Sequence, residues 1–227
     1  MSKTRAVAQL LGGLWLFGAS IALLLRADLG LDPWDVLHQA LAQRLDVRVG
    51  AVVIATSVVV LALWIPLRQR PGVGTVANVV LVGVALEATL AVLPSPTALG
   101  WRIGLLVAAI LGNAVATGLY LGAGLGPGPR DGLMTGLAAH GVSLRLARTS
   151  IEATVLVAGW ALGGTVGIGT VAYCLAIGPL AQVFIPRLSP HVPPGDPRHE
   201  AARHRRQHPP GPRGPGRRRL VRLADHA

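Results

Sequence analysis

Six apolar runs of near-membrane length constrain this chain more than any other feature it has. The first, Ala6 to Leu25, carries no charge over 20 residues, enough for a helix to cross a hydrocarbon core of about 30 Å. The others are Val49 to Leu67, Val73 to Leu93 with Glu87 inside it, Ile103 to Ala123, Thr149 to Val166 with Glu152 near its start, and Ile168 to Ile185. In a bilayer each run must be helical, because a spanning segment has to satisfy its own backbone hydrogen bonds. The expected fold class is therefore all-α, a polytopic membrane bundle of six transmembrane helices. Charge content agrees. Only 14% of the 227 residues are charged, where a soluble domain carries roughly 25%, too few to cover the surface of a soluble enzyme. The lone cysteine, Cys174, excludes an internal disulfide and argues against cysteine-based metal sites. No cofactor and no metal is expected.

Lys3 and Arg5 could open a signal peptide, but the apolar run behind them exceeds the usual ~7–15 residues and no A-x-A-like site follows it. We expect a retained helix. With the N-terminus in the cytoplasm, six spans place 17 of the 21 basic residues inside and 4 outside. The positive-inside rule then puts both termini in the cytoplasm. Ten of those basic residues fall between Arg187 and Arg222, in a Pro-, Gly- and Arg-rich segment with almost no aliphatic side chains. Residues 187–227 are expected to be a disordered cytoplasmic tail. Anionic lipid headgroups attract such a segment at ~1 kcal/mol per nearby charge. Nucleic acid would attract it as well, but no aromatic or folded reader accompanies the charge, so no specific nucleic-acid partner is expected. The lipid bilayer is the expected partner, a small solute a further candidate, and the oligomeric state is open.

The chain repeats itself at an offset of 95–96 residues. Leu29-Gly30-Leu31-Asp32-Pro33-Trp34-Asp35-Val36-Leu37 aligns with Leu125-Gly126-Pro127-Gly128-Pro129-Arg130-Asp131-Gly132-Leu133. Gly72-Val73-Gly74-Thr75-Val76 aligns with Gly167-Ile168-Gly169-Thr170-Val171, and Gly83 with Gly178. The expected organisation is a first three-helix repeat over 1–95, a second over 96–186, and the tail. Because three is odd, the second repeat enters the membrane from the opposite side. That is the inverted-topology arrangement recurrent in secondary transporters.

Each repeat also holds a helix too short to span. Asp32 suits an N-cap, Pro33 the first helical position and Asp35 the third, ahead of an apolar stripe at Val36, Leu37, Ala40, Leu41 and Leu45. Pro129 and Asp131 repeat the pattern. These read as short amphipathic or re-entrant helices. If they dip toward the midplane, their positive N-terminal ends, with Asp35 and Asp131, frame a binding site. The plainer alternative is that both carboxylates cap their helices. Arg130 beside such an end would favour an anion, or would simply anchor the cytoplasmic face. Glu87, deep in an apolar run, must face protein or water. Glu152 stands one turn after Arg148 and can pair with it. Asn78 and Asn113 are polar groups within spans, usually interhelical hydrogen-bond partners. Asp35, Glu87, Arg130, Asp131, Glu152, Asn78 and Asn113 are thus the candidate substrate-binding residues. The glycine-threonine motifs lack a following lysine and a preceding strand, which argues against phosphate loops. Gly112/Ala116, Gly118/Gly122 and Gly159/Gly163 suit close helix packing.

The motif pair at 29–37 and 126–134, with Arg148-Thr149-Ser150-Ile151-Glu152, Gly159-Trp160-Ala161-Leu162-Gly163-Gly164 and Gly167-Ile168-Gly169-Thr170, resembles the YczE/YitT-type bacterial integral membrane proteins over roughly residues 8–186. The resemblance implies a multi-pass protein of the bacterial plasma membrane. It carries over no catalytic residue and no particular activity. Two functions remain in view: a small-solute transporter with inverted repeats, and a non-transport membrane factor that modulates a partner protein or complex. An intramembrane enzyme is not expected. No H-E-x-x-H motif exists, no Ser/His pair lies within a span, and the seven histidines read as loop or tail residues.

Overall fold

The computed structural model describes residues 2–189, which contain eight helices and no strand. They are α1 (Lys3–Ala27), α2 (Pro33–Leu45), α3 (Val49–Ala62), α4 (Val73–Val92), α5 (Leu99–Gly122), α6 (Pro129–Ala139), α7 (Leu144–Ala161) and α8 (Ile168–Leu188). Four of them, α1, α4, α5 and α8, are long and apolar enough to cross a membrane. The pair α2 and α3, bent by 116° at its turn, makes a fifth if it counts as one broken span.

The remaining two expected spans differ for local reasons. The run expected from Val49 to Leu67 is helical only to Ala62. Pro66 has no N–H to give and disfavours helical backbone in the residue before it, and ahead of it the helix unwinds into i→i−3 turns, Trp64 N–H on the Leu61 carbonyl and Ile65 N–H on the Ala62 carbonyl. The run expected from Thr149 begins instead at Leu144, because the Ser143 hydroxyl accepts from Leu146 N–H and caps there. It ends before Gly163, whose φ of +99° suits a helix terminus. The shift brings Arg145 and Arg148 into α7 beside Glu152. At the other end α8 runs past the expected boundary at 186 to Leu188, through Pro179 and Pro186. The basic tail lies, from residue 190 on, outside the described residues.

Helices α1 and α5 form an antiparallel central pair. Gly13 packs on Ala116, Leu119 and Tyr120, Ser20 on Gly112, and Arg102 of the first turn of α5 bonds the Ala27 carbonyl at 2.8 Å. Helix α4 runs parallel to α1, with Gly18 against Val82 and Ala85 and with Arg26 on the Leu90 carbonyl at 2.6 Å. Helix α8 stands in the same relation to α5, with Gly118 against Phe184 and Leu188. Gln9 closes this end on the Leu119 and Leu188 carbonyls at 3.0 and 2.9 Å. Three apolar cores result, one around Leu24, Leu31, Val36, Ile110 and Tyr173, a second around Leu14, Ile21, Val53, Leu86 and Tyr120, and a smaller third around Trp34, Val60 and Leu133.

The repeated motifs dock on each other crosswise. Gly74 N–H donates to the Leu125 carbonyl at 2.9 Å, and Gly169 N–H donates to the Leu29 carbonyl at 2.7 Å. Thr75 Oγ1 accepts from Gly72 N–H and donates to the Pro127 carbonyl at 2.8 Å, while Thr170 Oγ1 accepts from Gly167 N–H at 3.3 Å. So the start of α4 seats on the loop before α6, and the start of α8 on the loop before α2. Gly30 and Gly126, at φ of +115° and +125°, turn the chain at those two seats, where side-chain-bearing residues are strained.

Candidate functional site

The two crossed loops lead straight into α2 and α6, and the N-terminal turns of these helices meet. Asp32 is the N-cap of α2, its Oδ1 accepting from Trp34 and Asp35 N–H at 2.8 and 2.9 Å. Pro33 follows at the first position and has no N–H to leave orphaned. With Asp32 as the cap, the Asp35 carboxylate is free for another task. Its Oδ1 lies 2.9 Å from His38 Nδ1, one turn along the same helix. His38 Nε2 in turn lies 2.9 Å from Thr56 Oγ1 on α3. Asp35 is 0% exposed and His38 1%.

Arg130, in the first turn of α6, reaches across from the other half of the chain. Its Nη2 stands 3.8 Å from Asp35 Oδ1, short of a hydrogen bond, and its guanidinium lies 4.9 Å over the Trp34 ring. That stacking is worth about 0.5–2 kcal/mol, more where water is excluded. Beside it, Asp131 Oδ2 accepts from Tyr120 O–H of α5. Asn78 of α4 faces the α6 N-cap at Gly128, and Tyr173 of α8 packs in the same core as Leu31 and Val36. Two buried polar atoms in this cluster, Asp35 Oδ2 and Trp34 Nε1, have no hydrogen-bond partner among the described residues.

Of the seven candidate residues, Asp35, Arg130, Asp131 and Asn78 thus gather at the α2–α6 junction. The other three lie apart. Glu87 Oε1 accepts from Gly50 N–H at 2.7 Å and so caps α3 from α4. It lines a groove of about 720 Å3 with Arg48, Gly50, Ile54 and Gly83 that includes none of the junction residues. Glu152 pairs with Arg148 Nε at 2.9 Å. Asn113 is buried in α5, and its Nδ2 finds no partner among the described residues. The capping alternative fails for Asp35, because Asp32 caps α2 and Asp35 bonds a histidine.

One expectation is corrected. His38 is no loop residue: it sits in the second turn of α2, buried, between a carboxylate and a hydroxyl. The signal was in the sequence, since Asp35 and His38 share a helix face at i, i+3 spacing. Thr56 carried no such signal, being one hydroxyl in an apolar run. Among the described residues no group of three or more His, Cys, Asp or Glu side chains is placed to hold a metal ion.

Comparison with known proteins follows the same boundaries. Residues 4–186 match DUF6198, described as a family of unknown function. The chain is 36% identical over 195 residues to an uncharacterized protein of Haemophilus influenzae, covering 85% of this chain and 89% of that one. It is 32% identical over 176 residues to the uncharacterized membrane protein YczE of Bacillus subtilis, covering 75% and 80%. No solved structure matches. Its apolar helices and this relative together make the chain a membrane protein in contact with the lipid bilayer.

Proposed function

The chain belongs to the DUF6198 family, and from that premise we propose that it is a small-solute permease of the bacterial plasma membrane, built from two inverted repeats with both termini in the cytoplasm. The observation that carries this is the meeting of α2 and α6. Two half-length helices, one from each half of the chain, bring their positive N-terminal ends together with Asp35 and Arg130 3.8 Å apart. Opposed half-helix ends at a repeat interface are where secondary transporters bind their cargo. The crosswise bonds Gly74–Leu125 and Gly169–Leu29 support the two-fold relation, and the charge bias between loops supports the orientation.

The test is counterflow into proteoliposomes loaded in turn with amino acids, monocarboxylates and inorganic phosphate. At least one class should exchange faster than in empty vesicles. Asp35→Asn should abolish that exchange in protein that still elutes as a folded monodisperse species. Flux equal to empty vesicles for every class, with a protein partner co-purifying stoichiometrically from the native membrane, would favour the membrane factor instead.

A further inference from the structure

The hydrogen atoms around His38 can be counted. Thr56 Oγ1 lies 2.8 Å from the Val52 carbonyl and 3.1 Å from the Val53 carbonyl, and both only accept. A hydroxyl has one hydrogen. Directed to Val52, as hydroxyls in apolar helices commonly are, it leaves Thr56 to accept from His38, so Nε2 carries a hydrogen. Nδ1 then faces Asp35 Oδ1 at 2.9 Å. Two lone pairs at that distance repel, so a proton must lie between them, on nitrogen or on oxygen. The pair is neutral overall in either form. Without that proton, and with the Thr56 hydrogen held on the Val52 carbonyl, a carboxylate and a bare ring nitrogen confront each other at full burial, which disfavours the contact.

A second place for the carboxylate already exists. Arg130 Nη2 waits 3.8 Å from Asp35 Oδ1, and Asp35 Oδ2 has no partner among the described residues. We propose that the Asp35–His38 pair is a proton-binding site, and that loss of its single proton to water swings Asp35 onto Arg130, locking α2 to α6. Proton uptake reverses this: one proton from water rebinds the pair, and the guanidinium is released over Trp34. Both directions balance, with one proton exchanged with water, the Asp35–His38 hydrogen bond traded for an Asp35–Arg130 ion pair, and no other covalent bond made or broken. This deepens the permease reading, on which it rests for its place in a transport cycle, by naming the proton as coupling ion. Nothing larger than a proton is needed to fill the gap between Nδ1 and Oδ1.

The other charged or titratable groups around the pair are few. Asp32 lies ahead of α2, and Arg130 and Asp131 come from α6, the latter bonded to Tyr120 of α5. Tyr173 comes from α8. Helix α3 presents Thr56, and α7 meets α2 through Gly159, its Arg148 and Glu152 being paired with each other.

The experiment uses the full chain in lipid nanodiscs. Protons taken up in a downward pH jump are counted with an indicator dye. Wild type should take up one proton more than Asp35→Asn. Trp34 fluorescence, isolated as the difference from Trp34→Phe, should change over the same pH range and stay flat in Asp35→Asn. Thr56→Ser, which keeps the hydroxyl, should behave as wild type. If Asp35→Asn does not fold, the wild-type infrared spectrum decides: as pH rises, either a carboxylic-acid band (proton on oxygen) or an imidazolium ring band (proton on nitrogen) must vanish. Equal uptake in wild type and Asp35→Asn overturns the proposal, as does a wild-type spectrum in which neither band changes with pH. Undiminished solute flux with equal uptake removes the proton site and leaves the permease. A full extra proton with no flux for any solute keeps the site and removes the permease.

Discussion

A carboxylate with no exposure, such as Asp35, is tolerable only if its environment replaces the water it has lost. Here the replacement is an imidazole whose far nitrogen is held by Thr56. Thr56→Val keeps the shape of that side chain and leaves His38 Nε2 facing a methyl group. The stranded donor should cost about 1–3 kcal/mol, read as a lowered melting temperature in nanodiscs, while Thr56→Ser should stay within roughly 0.5 kcal/mol of wild type. An unchanged melting temperature in Thr56→Val would mean that the hydroxyl does not hold the ring. This scale also shows where the sequence could be read and where it could not. Asp35 and Arg130 stood out because a repeated Pro-x-Asp signature placed them at helix N-termini. The Tyr120 partner of Asp131 was invisible, because the contact joins α5 to α6 through packing that no local pattern encodes. His38 was missed for a different reason: in a helix too short to span, the sequence carries no local sign of which face is buried.

Among elements, what matters is how closely backbones approach at the crossed seats. A Cβ on Gly30 would stand 2.7 Å from both Gly167 N and Thr170 Oγ1, and φ there is +115°. At Gly126 it would stand 2.9 Å from Thr75 Oγ1, at φ +125°. Gly30→Ala and Gly126→Ala should each destabilise by about 1–3 kcal/mol from strain alone, with steric cost added. The repeat counterparts Gly83 and Gly178 make an internal control. A Cβ on Gly83 would meet the Gly50 carbonyl at 2.6 Å, whereas nothing lies within 4 Å of one on Gly178. Gly83→Ala should therefore weaken the packing of α3 on α4, and Gly178→Ala should be neutral or stabilising by up to about 1 kcal/mol. Melting curves of the four variants check this, and equal loss in Gly83→Ala and Gly178→Ala would contradict it. Helix identity was legible at this scale because apolar period and caps are local: Asp32 with Pro33 marked the start of α2, and Gly72 and Gly167 the starts of α4 and α8. The ends of α3 and α7 were not. Continuous apolarity hid the stop at Pro66 and the early cap at Ser143, so two apparent spans became shorter or more polar helices.

For the whole molecule, the question is whether the halves enter the bilayer from opposite sides. The described residues make the halves alike in their main contacts, α4 along α1 and α8 along α5, but unlike in their short hairpins. Helix α3 closes on α4 through Gly50, Gly83 and Glu87, and the turn after it also meets α6, with Trp64 donating to the Pro129 carbonyl and packing on Gly132, whereas α7 meets α2 through Gly159 against Leu37. On the proposed permease reading, corresponding parts in two different packings are what a molecule alternating between inward and outward forms would display at one moment of its cycle. That interpretation needs the α2–α3 turn and the α6–α7 turn on opposite faces of the membrane. Cys174→Ser removes the background thiol, and Val47→Cys places one thiol in the first turn and Leu144→Cys another at the start of α7 beside the second, at residues that are 47% and 52% exposed. With an impermeant maleimide, Val47→Cys should label in intact cells and Leu144→Cys only after permeabilisation, because Arg145 and Arg148 hold the second turn on the positive side. Labelling of both from one face would put Asp35 and Arg130 within reach of the same compartment. Their contact could then no longer divide two access routes, and neither the proton nor a solute arriving at that junction would be carried across.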